Sequence, residues 1–175
     1  MPYYKRPLPE EYGEQYTSYV ARVPTGDLGT ILRSQVDGTC SRLAKIAGKM
    51  ADHSYAPGKW TIKEVVGHVC DVERVMSYRA LRFARADATE LAGFEENDYV
   101  PAGRFGNRRL PDMLEEFQTV RSATVALFGG FPPVAWEQSG LANRAKVSVR
   151  ALACIIIGHE LHHRAILEER YLSGL

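Results

Sequence analysis

From Asp27 onward, apolar residues recur at steps of three, four and seven: Leu28, Ile31, Leu32, Val36, Leu43, Ile46, Ala47 and Met50, with Cys40 filling the gap. This spacing winds one stripe along a helix and predicts a first long amphipathic helix from Asp27 to about Met50. Pro57 and Gly58 follow, and then Thr61 stands three residues before Glu64. That S/T-x-x-E pattern is a capping box, in which hydroxyl and carboxylate satisfy the orphan amides of a first helical turn. A second helix is expected from about Ile62, with a stripe of Val65, Val69 or Val72, Val75 or Met76, Leu81 and Phe83. His68 falls between Val65 and Val72 on that same side, which puts a histidine on a buried face.

Periodicity is lost between Asp87 and Arg109, where Gly93, Pro101, Gly103 and Gly106 interrupt the chain. A connection of that length in a compact domain fits a lid or a crossover. Pro111 suits a first turn, and Met113, Leu114, Phe117, Val120, Thr124, Leu127 and Phe128 mark a third helix ending at Gly129-Gly130. Pro132 and Pro133 prevent its continuation. After a polar loop around Gly140 to Lys146, Ser148 can cap a fourth helix carrying Leu152, Ile155, Ile156, His159, His163, Ile166 and Leu167. No strand pattern competes. Four long helices without an internal repeat predict an all-α four-helix bundle with a long crossover between helices 2 and 3. Residues 1–26 hold four of the nine prolines and five of the nine tyrosines. They read as an N-terminal arm, with a short helix at most near Glu10 to Val20, packed on a domain of residues 27–175.

Composition narrows the functions available to such a bundle. At 175 residues the chain is sized for one domain. Its 22 Lys and Arg against 21 Asp and Glu leave a net charge of +1, which offers no field to hold nucleic acid or an anionic membrane. Neither is expected as a partner. Cys40, Cys70 and Cys154 are odd in number and widely spaced, so no disulfide framework is expected. The N-terminus has no signal-like apolar core, and the longest apolar run, Ala151 to Gly158, is far below a membrane span. A cytoplasmic location is the expectation.

Three of the five histidines, His159, His162 and His163, fall within five residues. On a helix, positions i and i+4 differ by about 40° in azimuth and roughly 6 Å in rise, so the imidazoles of His159 and His163 can converge on one point. His162 is then the spare, exposed to solvent or supporting the ligand histidines from beside them. Two imidazoles hold a divalent metal poorly, and the third donor expected on another helix's core face is His68, with His53 the poorest candidate. Three neutral imidazoles suit zinc, nickel, copper or iron rather than magnesium or calcium, and leave coordination positions open for water or substrate. The alternative for a core-facing histidine is a hydrogen-bonded packing residue.

The letters HELHH also satisfy H-E-x-x-H, the zinc-peptidase helix in which the glutamate is general base. Only twelve residues follow His163, and Glu168 and Glu169 extend the same helix, so no downstream third ligand has room. Glu160 could act as base or orient a histidine, but it stands about 100° from His159, which favours a solvent-facing or interhelix salt-bridge role. Asp71 could support His68, or pair with Arg74. Arg74, Arg79, Arg82 and Arg85 read as a solvated face.

GKWTIKEVVGHVCDVE, followed far downstream by IIIGHELHHRAIL, resembles the DinB-like (YfiT-like) superfamily of metal-dependent hydrolases, related to bacillithiol- and mycothiol-dependent S-transferases. The resemblance covers most of the chain from about Asp27. It implies a four-helix bundle with a long crossover, and a nickel or zinc ion held by one histidine of the second helix and two of the last. Those positions fall on His68, His159 and His163. It further implies activation of a low-molecular-weight thiol, or of water, for S-transfer to a small electrophilic substrate or its hydrolysis. The rival is a non-catalytic stress-response or dimerisation module with a structural metal. A homodimer through helix faces is compatible with the stripes.

Overall fold

The computed structural model describes residues 5–46 and 48–172; Ala47, placed above on the first stripe, lies outside them. Among the described residues the α-helices are α1 (Thr17–Arg22), α2 (Leu28–Leu43), α3 (Ile62–Ala84), α4 (Glu96–Gly103), α5 (Leu110–Gly129) and α6 (Val149–Ile166). One hairpin, β1 (Ser139–Ala142) and β2 (Ala145–Ser148), joins α5 to α6. Helices α2, α3, α5 and α6 form the four-helix bundle that the sequence predicts, and α5 and α6 each pack against both α2 and α3.

The expected helix starts are where capping chemistry put them. The Asp27 carboxylate accepts from the Thr30 amide at 2.8 Å, and the Ser148 hydroxyl accepts from the Ala151 amide at 3.1 Å. At α3 the Thr61 hydroxyl accepts from the Glu64 amide while the Glu64 carboxylate accepts from the Thr61 amide at 2.7 Å. These reciprocal bonds fix where the His68 helix begins. The ends differ more from expectation. Helix α2 stops at Leu43, short of Met50, and a separate 3-10 turn at Gly48–Asp52 sends Ala51 into the core. Gly48, a poor helix former, stands where continuation would be needed. Leu81, assigned to the stripe of α3, is exposed, and Ala80 and Phe83 take the buried positions.

The connection from α3 to α5 is not structureless. Helix α4 lies on α3, and a 3-10 turn at Phe105–Asn107 follows it after a left-handed Arg104. The expectation of no strands also fails. Ser139 pairs with Ser148 and Ala142 with Ala145, and Asn143 and Arg144 turn the chain with φ of 51° and 62°, the two left-handed residues of a type I′ turn. Four residues per strand are too few for alternation to register.

The apolar core forms two clusters. One gathers Leu32, Phe83, Phe128, Trp136 and Ile155 with Val20 and Val23 from the N-terminal stretch; the other gathers Val36, Val65, Val69, Phe105 and Phe117 with Leu167. Each fully buried aliphatic or aromatic side chain contributes about 1.5–3 kcal/mol. Along α6 the interval between the clusters, from Ile157 to Leu167, contains His159 and His163.

Two glycines next to histidines explain how neighbouring segments reach the helices. A Cβ on Gly158 would lie 2.0 Å from the Tyr19 carbonyl oxygen, and one on Gly67 would lie 2.4 Å from the Phe105 ring. Both positions accept the cost of mid-helix glycine, about 1 kcal/mol, in exchange for direct contact. At Gly158 that contact is with the backbone of α1. At Gly67 it is with the turn after α4.

Candidate metal centre

Helix α3 carries His68 and α6 carries His159 and His163, and the packing of α3 on α6 brings all three together. The Nε2 atoms of His68 and His159 are 3.0 Å apart, and those of His163 and His159 are 3.1 Å apart. All three side chains are buried. A ring nitrogen in the imidazole plane holds either a proton or a lone pair, so His159 Nε2 cannot serve both neighbours as a hydrogen-bond partner. The cluster therefore leaves buried lone pairs aimed at a common point.

The electrostatics keep these rings neutral. Burial pushes the His68 imidazole down to about 4, with His162 adding to the effect. Burial, then His68 and His162, push His163 down to about 3. His159 lies well below the usual range, because of burial and then of its histidine neighbours. Neutral imidazole is the form that ligates a metal. Zinc–imidazole bonds of about 2.0–2.1 Å set paired nitrogens roughly 3.0–3.4 Å apart for angles from about 90° to tetrahedral. The observed separations fit that donor set. Among the described residues no fourth histidine, cysteine or carboxylate joins it.

Two clefts flank the cluster. One, of about 260 Å³, is lined by His159 with Tyr16, Tyr19, Arg79, Phe94 and Glu96. The other, of about 260 Å³, is lined by His163 with Tyr55, Lys59, Trp60 and Tyr171. The Tyr19 ring meets His159 edge-on at 5.3 Å, and the Trp60 ring lies 4.8 Å from His68. Tyr171 donates to the Trp60 carbonyl at 2.6 Å and so holds the start of α3 against the end of the chain.

The other residues singled out from sequence sit elsewhere. Glu160 is 2% exposed and points into the bundle, which excludes the solvent-facing role and leaves the interhelix ion pair. Its carboxylate accepts from Arg121 at 2.7 Å, from Gln35 at 2.6 Å and from Thr39 at 2.6 Å. Both oxygens are engaged, so it is not free to act as a base. Arg121 also grips Glu73 with two bonds of 2.8 Å. Burial works against the Arg121 charge, but Glu73 and Glu160 outweigh it and raise its pKa. Asp71 pairs with Arg74 at 3.6 Å and lines neither cleft. His162, half-buried, lies beside Tyr19 and His163 with ring centroids 5.3 and 5.1 Å away. His53 is exposed and rests near Tyr171.

The arginine run is not a uniformly solvated face. Arg74 pairs with Glu116 at 2.5 Å, Arg82 binds Asp87 and Tyr78, and Arg85 lies over the Phe131 ring, but Arg79 is buried. The cysteines are buried and free. Burial pushes the Cys40 and Cys154 thiols up to about 12 and raises Cys70 as well, so none offers a thiolate at neutral pH.

Fold and site together define a four-helix bundle with a buried three-histidine cluster between α3 and α6. The DinB superfamily model matches residues 10–167, and the chain belongs to that superfamily. Comparison with curated protein sequences finds no match. Among solved structures the chain is similar to YfiT from Bacillus subtilis, a probable metal-dependent hydrolase with an unusual four-helix bundle topology. The TM-score is 0.75 at 15% identity, over 97% of this chain and 93% of that one. It is also similar to the mycothiol-dependent maleylpyruvate isomerase, with a TM-score of 0.64 at 13% identity. That match covers 83% of this chain and 61% of the isomerase. At these identities the likenesses establish the fold. No described helix is long and apolar enough to cross a membrane.

Proposed function

We propose that this DinB-superfamily protein is a metal-dependent enzyme in which His68, His159 and His163 hold a divalent transition metal, zinc or nickel, for S-transfer to a small electrophilic substrate or its hydrolysis. The observation that carries the reading is the convergence of three neutral, buried Nε2 atoms between two clefts. A divalent ion bound there supplies Lewis acidity and eases loss of a proton from a thiol or a water molecule. The chain's residues position it: the Tyr19 ring packs edge-on against His159, the Trp60 ring packs against His68, and the Glu160–Arg121–Glu73 group ties α6 to α5 and α3 behind the histidines.

The buried cysteines support an external thiol rather than one from the chain. Similarity to a mycothiol-dependent enzyme supports the same class of cosubstrate. The stretch 1–26 acts in this reading as an arm over the 27–175 domain, since α1 packs on α6 and brings Tyr19 to His159. The absence of a fourth donor among the described residues favours an enzyme over a structural metal. The test is a screen of metal-loaded and metal-stripped protein against small electrophiles, with and without bacillithiol, mycothiol and glutathione. Metal-dependent turnover with a thiol is expected to exceed that with water. No turnover with any thiol or with water would reject the enzymatic reading.

A further inference from the structure

We propose that the cleft on the His159 side binds the carboxylate of an anionic small molecule through Arg79, so that Arg79 selects the ligand's charge. Arg79 is 3% exposed yet lines that cleft. Of the five N–H groups of its guanidinium, one donates to the Ala92 carbonyl at 2.9 Å and one to the Met76 sulfur at 3.7 Å. The Phe94 ring lies 5.9 Å away. No carboxylate lies within ion-pairing distance among the described residues. Every other buried arginine among the described residues is matched: Arg121 by Glu73 and Glu160, Arg150 by Glu11. A buried cation served by one carbonyl, one thioether and one ring face is undercompensated, and a carboxylate completes it with paired, charge-assisted bonds.

The rest of the cleft suits a small ligand with one anionic end. Gln15, Tyr16, Tyr19 and Asn143 are neutral, and Val72, Met76 and Ile155 are apolar. Glu96 is the one acidic residue among the described lining residues, and burial, then Glu95, raise its pKa. Arg79 follows His68 by eleven residues, three helical turns on the same face of α3 and roughly 16 Å along its axis. Helical side chains lean toward the N-terminus, so the guanidinium reaches back toward the histidines. The matching ligand therefore carries its carboxylate several bonds from the end that meets the histidines.

This placement of the ligand rests on reading the three histidines as a metal centre, and the experiment separates the two. Cobalt-loaded wild type, Arg79→Gln and Arg79→Lys are titrated with mercaptohexanoate and with mercaptohexanol, following the cobalt absorption spectrum. In wild type the acid is expected to bind about 10- to 100-fold more tightly than the alcohol, the range of one charged hydrogen-bonding pair. The ratio falls toward one in Arg79→Gln, recovers partly in Arg79→Lys, and rises in Glu96→Gln. In parallel, mercaptohexanoate raises the melting temperature of metal-free wild type but not of metal-free Arg79→Gln. Equal ratios in wild type and Arg79→Gln, or no preference for the acid in wild type, overturn the proposal. Should cobalt fail to bind, or neither thiol change its spectrum, the metal reading falls, and the melting comparison still decides for or against Arg79. If Arg79→Gln does not fold, the Arg79→Lys and Glu96→Gln ratios decide alone, and no shift in either counts against it.

Discussion

His159 and Glu160 are neighbours on α6, and they show two opposite ways of burying a polar side chain. Glu160 is closed: Arg121, Gln35 and Thr39 donate to its two oxygens, and Arg121 carries the matching charge. His159 is open: its Nε2 lies 3.0 and 3.1 Å from the Nε2 atoms of two further neutral histidines, which compete with it for the same point. A closed group gains little from any ligand, because its hydrogen-bonding capacity is filled. An open group of converging lone pairs is stabilised only by something brought in from outside. The difference separates a group whose hydrogen bonds are filled from one whose donors are left unfilled, although both look alike in burial and in position along the helix.

The largest effect is expected at Arg121. Arg121→Met leaves Glu73 and Glu160 buried without their cation, and should cost about 3–5 kcal/mol of unfolding free energy in urea titration. Substituting a histidine of the open cluster in metal-free protein should cost far less. A smaller effect, about 1–3 kcal/mol, is expected for Gly158→Ala, whose added methyl meets the Tyr19 backbone and drives α1 away from α6. Limited proteolysis should then cut within residues 17–26, and cleavage no faster than in wild type would show that α1 does not depend on that close approach. The smallest effect belongs to a partly exposed charge cluster between α3 and α5. Glu116→Gln removes the surface partner of Arg74 and Arg108 and should change stability by about 1 kcal/mol or less, with the change shrinking further at high salt.

Much of this was readable from sequence where the signal is local. The Thr61/Glu64 box and Ser148 are chemistry within one turn, and the i, i+4 spacing of His159 and His163 fixes their convergence whatever the tertiary structure. His68 could be placed on a core face by periodicity alone. What escaped was non-local. Arg121 follows Phe117 by four and precedes Phe128 by seven, so its place on the apolar stripe was visible, but its carboxylate partner lies 48 residues away in sequence. Arg79, three residues after Met76 and four before Phe83, carries the same stripe signal, which the run of neighbouring arginines masks. The azimuth of Glu160 separated it from His159 but left solvent and a salt bridge as alternatives until the bundle decided. The hairpin leaves little trace in the sequence because its strands are four residues long and its turn holds no glycine.

Metal binding by the open cluster is tested by metal content and melting temperature of protein purified without a nickel column, for wild type, His68→Ala and Arg121→Lys. Wild type and Arg121→Lys should carry about one equivalent of divalent metal. Wild type should also be stabilised by about 4 kcal/mol at a thousandfold excess over the dissociation constant, while His68→Ala should carry no metal and show no such stabilisation. Equal metal content and equal stabilisation in wild type and His68→Ala would contradict it.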